Sequence, residues 1–218
     1  GDALAKMAFE KAGILKRGVT AIVGPQQDDA LEVIERQAEK VGAPLLVHGQ
    51  HWHVNVESER LIYQDETGLL DLPLPNLPGP HQIQNAGAAI ATLRYLGMDE
   101  IACTAAISQA YWPARMQRLR TGPLVENLAS NEVWLDGGHN PAAGRAIAGT
   151  LASLAKRETH IICGMINTKD VKGFLAPIAT HCASLTAVTI PNEPNAVPAP
   201  DLANFGRSCG LICFEGAD

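Results

Sequence analysis

The segment best suited to chemistry is Asp136-Gly137-Gly138-His139-Asn140-Pro141. An apolar run, Val133–Leu135, precedes it and a pattern of helical period follows it, so we expect a strand to end and a helix to begin here. In open α/β sheets, ligands bind at this carboxyl edge of the strands. Asp136 would display a hydroxyl acceptor and His139 a flat polar ring, while Asn140 is suited to cap the helix. A structural junction with an incidental histidine explains the same residues.

Other segments place polar residues at the ends of predicted elements. Glu10-Lys11-Ala12-Gly13-Ile14 ends a helix, where a lysine is ordinarily a favourable charge on the helix dipole. His81-Gln82-Ile83-Gln84-Asn85-Ala86 opens a helix after a proline-rich connector, and its plain interpretation is a polar first turn. Pro113-Ala114-Arg115-Met116-Gln117 follows a predicted helix pair, and its arginine is suited either to bind phosphate through two nitrogens or to be solvated.

His48, His51 and His53 lie close together in the sequence, so a metal site is conceivable there. His51 and His53 alternate with Trp52 and Val54, however, as residues of a half-exposed strand do. We therefore interpret these histidines as strand residues and expect no metal at this position.

The composition and charge of the chain argue against some kinds of binding partner. The chain has 218 residues, a formal net charge of -6 and no dense cluster of lysine and arginine, which argues against a nucleic-acid partner. No apolar stretch approaches the ~20 residues needed to span a bilayer, and the first residues lack the pattern of a secretion signal. The five cysteines are Cys103, Cys163, Cys182, Cys209 and Cys213. They have no C-x-x-C spacing, so we expect reduced thiols in a cytoplasmic protein with small-molecule partners and no membrane association.

Periodicity and chain-breaking residues predict an α/β protein. The predicted helices are 3–12, 28–41, 81–96, 100–110, 141–156, 170–181 and 201–208, and the predicted strands are 20–23, 44–47, 51–56, 61–64, 133–135, 160–163, 185–190 and 211–214. From residue 133 onward strands and helices alternate, which indicates a parallel sheet with right-handed crossovers. We place a domain boundary near Trp112-Pro113 and expect a structural unit on each side of it.

Taken in order, these segments resemble one family, the folylpolyglutamate and dihydrofolate synthases. Its members have an E-K-A-G-I segment, a G-x-H-Q-x-x-N-A helix start, a P-x-R-x-Q segment and D-G-A-H-N-P. This chain matches these motifs at residues 10–14, 79–86, 113–117 and 136–141, and its Gly164-Met165 and Lys169-Asp170 are similar to a further family stretch. The resemblance spans essentially the whole chain, and the order of the motifs is more specific than any one of them.

The resemblance implies the remnant of an N-terminal ATPase domain over residues 1–113 and a Rossmann-like, mostly parallel-sheet ligase domain over residues 114–218. It implies an enzyme that uses ATP and Mg²⁺ to activate a carboxylate as an acyl phosphate and then joins it to L-glutamate. The carboxylate would belong to dihydropteroate or to a folate, and the protein would be a monomer.

Site residues follow from the same resemblance. Lys11 matches the family lysine that is carbamylated and supports a magnesium ion, which prefers anionic oxygen ligands. Asn85, Arg115 and Asp136 match positions that contact ATP, and His139 stands beside them. We expect the Asp136 carboxylate to face a ligand cleft, so that its removal weakens ATP binding and changes folding little.

The chain also departs from the family. Gly138 stands where the family usually has alanine, a small-for-small change. No G-x-x-x-x-G-K-[ST] phosphate loop occurs in this sequence, and in the family that loop lies upstream. We therefore expect a C-terminal half of a longer enzyme, cut also near its last strand, and we expect the isolated chain to lack ligase activity.

Other functions stay open at this point. A muramyl-peptide ligase shares the chemistry, but its nucleotide motif typically has a bulky residue where Gly137 stands. A non-catalytic nucleotide-binding module without a phosphate loop is the alternative of a different class. A Rossmann-type dehydrogenase is disfavoured because no G-x-G-x-x-G follows a predicted strand.

Overall fold

The computed structural model describes residues 2–126, 128, 131–154 and 156–216, with the backbone alone at Asp2. Contacts divide the chain into two units. Unit 1 comprises residues 1–77 and 81–111, and unit 2 comprises residues 78–80 and 112–218. The division falls between Tyr111 and Trp112, close to the boundary predicted at residue 113, and it moves the short stretch Pro78–Pro80 to unit 2. The assignment of the units to an ATPase remnant and a ligase domain stays a prediction.

Unit 1 combines helices with a parallel strand pair and an antiparallel meander. Its helices are α1 (Asp2–Ala12), α2 (Asp28–Val41), α3 (His81–Tyr95) and α4 (Glu100–Ser108), and its strands are β1 (Ala21–Val23), β2 (Leu45–Val47), β3 (Trp52–Glu57), β4 (Arg60–Asp65) and β5 (Gly68–Leu72). β1 pairs with β2 in parallel, whereas β3, β4 and β5 form an antiparallel sheet in chain order.

The core of unit 1 lies between the meander and α3. Alternate residues of the strands, among them Trp52, Val54 and Tyr63, point to one face and are buried together with Ile90 of α3. Gly87 allows the helix to approach this face closely, because a Cβ at that position would lie 2.5 Å from Cγ1 of Val54. The meander and α3 thus share one core, with the closest approach near the middle of the helix.

Unit 2 contains an antiparallel strand pair and a parallel three-stranded sheet. Its elements are β6 (Gln117–Leu119), α5 (Pro123–Glu126), β7 (Val133–Leu135), α6 (Pro141–Ser153), β8 (His160–Cys163), α7 (Val171–Ile178) followed by a 3₁₀ turn (Ala179–His181), β9 (Ser184–Ala187), α8 (Ala199–Ser208) and β10 (Ile212–Glu215). The parallel sheet has the order β10-β9-β8, and β6 pairs with β7.

Helices cover one face of the parallel sheet. Leu185 of β9, Leu175 of α7 and Leu202 of α8 are completely buried in this core, and Ile147 of α6 packs against it. α6 approaches α7 closely at Gly144, where a side chain would meet the backbone of α7. The mixed α/β class with parallel sheets that the alternation predicted is therefore present.

The position of β7 was predicted wrongly in one respect. It has the expected bounds, but its hydrogen-bonded neighbour is β6, with Gln117 opposite Leu135 in an antiparallel register, and not a strand of the parallel sheet. The alternation of strand and helix does not reveal this pairing, because β6 is only three residues long and lies in a segment rich in arginine. β5 was also missed, since Gly68 interrupts the apolar pattern before it.

None of the helices among the described residues is long and apolar enough to cross a membrane. The five cysteines are free thiols; Cys103 is buried and the other four are partly buried. Burial raises the pKa of both Cys163 and Cys182 to about 11, so these thiols stay protonated at neutral pH.

Candidate functional site

Asp136 lies directly after β7, and its carboxylate binds backbone amides on both sides of it. Oδ1 accepts a hydrogen bond from the amide of Gly138 at 2.7 Å, and Oδ2 accepts one from the amide of Met116 at 2.8 Å. The side chain is half-buried. Each carboxylate oxygen thus already accepts a backbone hydrogen bond, which argues against the expectation that removal of Asp136 changes folding little. That expectation stays a prediction.

Arg115 sits in a tight turn between two residues with left-handed backbone. Ala114 has φ 54° and Met116 has φ 42°, a backbone region that residues other than glycine rarely occupy. The Met116 side chain is buried, whereas Arg115 is exposed, and its Nη1 lies 3.4 Å from the carbonyl oxygen of Ala114. The turn thus directs the methionine inward and the guanidinium outward.

His139 lies two residues after Gly137 and contacts it. Nδ1 of His139 is 3.0 Å from the Gly137 carbonyl oxygen, and the ring is exposed. A neutral ring that donates from Nδ1 to this carbonyl would leave Nε2 as an acceptor. Asn140 then caps α6, as predicted, by accepting a hydrogen bond from the amide of Ala143 at 2.9 Å, and Pro141 occupies the first turn.

Arg115, Asp136 and His139 are therefore parts of one structure in unit 2. Gly137 links them: its amide donates to the Ala114 carbonyl at 2.9 Å, its own carbonyl faces His139, and a Cβ at this glycine would lie 3.6 Å from Arg115 Nη1. The exposed Arg115 guanidinium can bind an anion, and the exposed His139 ring lies on the same loop as Gly137.

Asn85 lies in the first turn of α3, in unit 1. Its amide nitrogen donates to Oε1 of Gln82 at 2.9 Å, and the side chain of Gln82, which is buried, lies 3.1 Å from Nε2 of His81. Asn85 itself is exposed. The helix start predicted here is confirmed at His81, and Gln82 joins the side chains of His81 and Asn85.

Lys11 lies in the last turn of α1, also in unit 1. Its side chain is 77% exposed, and its Nζ lies 3.9 Å from Oε1 of Glu10. Among the described residues, no group of three or more histidine, cysteine, aspartate or glutamate side chains is arranged to hold a metal ion. The residues present do not by themselves fit a magnesium site, and Lys11 would be one contributor to it at most.

The three histidines at and before the start of β3 have contacts of their own. His48 stands edge-on to Trp52, with ring centroids 4.9 Å apart, and His51 Nδ1 accepts a hydrogen bond from the amide of Val47. Burial, with the neighbouring charge of His53, lowers the pKa of His48, which favours a neutral ring. Of the three, only His53 lies within a strand, β3, whereas His48 forms an isolated bridge with Trp52 and His51 lies in the turn before β3.

Sequence reasoning missed a polar network in unit 1. Arg94 of α3 binds Asp65 of β4 through two nitrogens, Nε at 2.7 Å and Nη2 at 2.9 Å, and also contacts Thr67. The Tyr63 hydroxyl donates to Asp65 at 3.3 Å. The side chains of Arg94 and Asp65 are only 17% and 13% exposed, and a hollow of about 240 Å³ borders them. The two residues are 29 positions apart, so no local motif indicates the pair.

These observations define the class of protein: a two-unit α/β chain with a braced polar loop at the end of a strand. Comparison with known proteins specifies it further. The chain is 26% identical over 210 residues to a folylpolyglutamate synthase of Lacticaseibacillus casei, covering 91% of this chain and 47% of the relative. It is 26% identical over 230 residues to a dihydrofolate synthase/folylpolyglutamate synthase of Bacillus subtilis, covering 100% of this chain and 51% of the relative. No protein-family model matches the chain.

Solved structures give the same result. A Mycobacterium tuberculosis folylpolyglutamate synthase complexed with ADP superposes with a TM-score of 0.82 at 25% identity, covering 99% of this chain and 50% of that one. A bifunctional folylpolyglutamate synthase/dihydrofolate synthase with Mn, AMPPNP and L-glutamate bound has a TM-score of 0.81 at 26% identity, covering 98% and 48%. Over essentially its whole length the chain is similar to members of the folylpolyglutamate synthase/dihydrofolate synthase family. It spans about half the length of the curated relatives it matches.

Proposed function

We propose that this chain is part of an ATP-dependent ligase that adds L-glutamate to dihydropteroate, to folylpolyglutamate or to both. In such a reaction a substrate carboxylate attacks the γ-phosphate of ATP, and an acyl phosphate forms as ADP leaves. The amine of L-glutamate then attacks the acyl carbon, phosphate departs, and an amide bond is formed. The enzyme's task is to position the reactants and neutralise charge.

One observation supports this function above the others: the joint placement of Arg115, Asp136 and His139 around Gly137 in a chain whose solved relatives bind ADP. A guanidinium forms bidentate, charge-assisted hydrogen bonds with phosphate oxygens. Nε2 of His139 is suited to a hydroxyl or an exocyclic amine of the nucleotide. We assign Arg115 and His139 to nucleotide contact, and Asp136 primarily to the geometry of the loop that presents Arg115.

Unit 1 contains the other two residues that match family positions. Asn85 has an exposed amide that can hydrogen-bond a base or a ribose, and its carbonyl oxygen is oriented by the donation of its nitrogen to Gln82. Lys11, once carbamylated, would be an oxygen ligand for the divalent ion that accompanies ATP. Its high exposure leaves it accessible to CO₂.

The isolated chain is expected to be inactive as a ligase. Its sequence contains no phosphate loop, so nothing in it cradles the β- and γ-phosphates in the way such loops do. ATP-dependent phosphate release that requires both a folate substrate and L-glutamate, measured on the purified 218-residue chain, would contradict this expectation.

Nucleotide binding provides the direct test. Adding ADP to the ¹⁵N-labelled chain should shift the amide resonances of residues 114–116 and 136–139, with weak, millimolar affinity of about -4 kcal/mol. Arg115→Ala should weaken ADP binding by about one order of magnitude, which reduces the shifts at a given ADP concentration. Arg145→Ala is the matched control, since Arg145 is an exposed arginine of α6 in the same unit and should leave binding unchanged. Shifts that are absent in the unmodified chain, or equal in both variants, would overturn the proposed site.

A further inference from the structure

The turn that presents Arg115 is held from three directions. The Met116 amide donates to Asp136 Oδ2 at 2.8 Å, the Ala114 amide donates to Gln117 Oε1 at 3.0 Å, and the Ala114 carbonyl accepts from the Gly137 amide at 2.9 Å. Every hydrogen bond in this set involves a residue immediately before or after Arg115, and none uses its side chain. The backbone on both sides of the arginine is therefore fixed.

Such bracing is needed because the turn is unfavourable on its own. Two non-glycine residues with left-handed backbone, Ala114 and Met116, flank Arg115, and such a conformation is unfavourable for a residue with a side chain. The hydrogen bonds from Asp136 and Gln117 offset this cost, the one to the carboxylate more than the one to the neutral amide. Without Asp136 and Gln117, the segment would relax to ordinary backbone angles and the guanidinium would point elsewhere.

We propose that Asp136 and Gln117 are positioning residues that set the direction of Arg115, and that Arg115 is the group that meets the anionic part of the nucleotide. The proposal rests on the nucleotide site proposed above for its ligand, but its structural part does not depend on any ligand. Asp136 acts mainly through the backbone, because both of its oxygens already accept amide protons.

Amide hydrogen exchange in the ligand-free chain tests the structural part. Asp136→Ala should speed exchange at the Met116 amide about tenfold or more, and Gln117→Leu should do the same at the Ala114 amide, since the loss of one hydrogen bond is worth about a factor of ten. Gln117→Glu keeps the acceptor and should preserve slow exchange at Ala114. Unchanged exchange at Met116 in Asp136→Ala and at Ala114 in Gln117→Leu would overturn the bracing.

A double-mutant cycle tests the functional part. If Asp136 acts through Arg115, Asp136→Ala should weaken ADP binding about as much as Arg115→Ala does, and combining the two should add less than about a factor of two. Additive losses would show that Asp136 contacts the nucleotide itself and would overturn the positioning role. If the unmodified chain binds no ADP, the proposed nucleotide function fails, while the exchange measurements still decide whether the turn is braced.

Discussion

Asp65 in unit 1 and Asp136 in unit 2 are both aspartates at the end of a strand with both oxygens engaged, but their donors differ in kind. Asp65 accepts mainly from side chains, those of Arg94, Thr67 and Tyr63, and in addition from the backbone amide of Thr67. Asp136 accepts from backbone amides that belong to two loops. The first carboxylate therefore joins a helix to a sheet, whereas the second fixes the path of the chain around an exposed arginine.

The difference is also electrostatic. Burial alone would raise the pKa of Asp65, but hydrogen bonds from Arg94 and Thr67 outweigh burial and lower the pKa to about 2. Burial, together with the neighbouring Asp65, raises the pKa of the Tyr63 hydroxyl, which keeps it a donor. The network around Asp65 is thus an ion pair whose members depend on each other, and its removal should destabilise unit 1.

The largest expected effect follows from breaking this ion pair. Asp65→Ala leaves the Arg94 guanidinium, only 17% exposed, without its carboxylate. Removal of one partner of a buried pair costs about 3–5 kcal/mol, so the free energy of unfolding of unit 1 should fall by about that amount. Urea unfolding followed through resonances of β3 and β4 measures the change.

Asp71→Ala provides the matched control on the same sheet. The pair Arg60–Asp71 has a similar shortest distance, 2.7 Å, but its side chains are 47% and 57% exposed. Exposed pairs contribute about 0–1 kcal/mol, so this variant should lose less than about 1 kcal/mol. Equal losses in the two variants would mean that burial does not distinguish the two pairs.

Asp136→Ala should have a smaller effect, confined to unit 2. Two backbone hydrogen bonds to a half-buried carboxylate are lost, and at the lower end of the range for charged acceptors this costs about 3 kcal/mol before solvent replaces part of it. We expect a loss of about 2 kcal/mol in the unfolding of unit 2 with unit 1 unchanged. Full retention of stability would restore the sequence-based expectation that this carboxylate serves only the ligand.

The pH dependence of the stability of unit 1 gives a further test of the role of Asp65. Asp65 has a folded pKa of about 2, below its ordinary value of 3.8, so its stabilisation is fully present above about pH 4 and is lost as the pH falls toward 2. The shift corresponds to about 2 kcal/mol. Asp65→Asn should remove this part of the pH dependence. If the Asp65→Asn variant lost as much stability toward pH 2 as the unmodified chain does, Asp65 would not be the source of that loss.

How well the sequence predicted these regions depends on the range of the interactions. Predicted and observed bounds coincide for α2, β7 and β8. These bounds are set by the local hydrophobic periodicity and by the chain-breaking residues on either side. The motif containing Asp136 was recognised for the same reason. Its bond to Met116, 20 positions away, and the bond of Asp65 to Arg94, 29 positions away, could not be predicted, because each depends on how distant segments pack.

Short secondary-structure elements are a second feature that could not be predicted from the sequence. β6 has three residues and no apolar period, so nothing in the sequence indicated that it would pair with β7 and bring Arg115 beside Asp136. The residue types of the site were thus predicted, whereas the brace that orients them was not. Gly138 shows the same limit on a smaller scale, since its exchange with alanine looks conservative in sequence.

Gly138→Ala should change the free energy of unfolding of unit 2 least. The sign of that change shows whether the loop around Asp136 can adjust to a side chain at residue 138. A Cβ at Gly138 would lie 2.8 Å from Asp136 Oδ1 and 3.0 Å from both Ala143 Cβ and Ile147 Cδ1, closer than such contacts normally are. The Ile147 methyl can move, but the Ala143 Cβ belongs to the first turn of α6 and the carboxylate is held by two amides. Crowding costs about 1–3 kcal/mol, whereas the reduced entropy of the unfolded chain returns about 0.4–1 kcal/mol. We expect a net loss of about 1 kcal/mol in unit 2, with faster amide exchange at Met116.

Gly137→Ala is the matched control. The nearest atoms to a Cβ at Gly137 would be 3.6 Å away, so this substitution should be tolerated. A Gly138→Ala variant as stable as the unmodified chain would show that the loop adjusts to alanine, and that the close approach of Asp136 to residue 138 is not required for the brace.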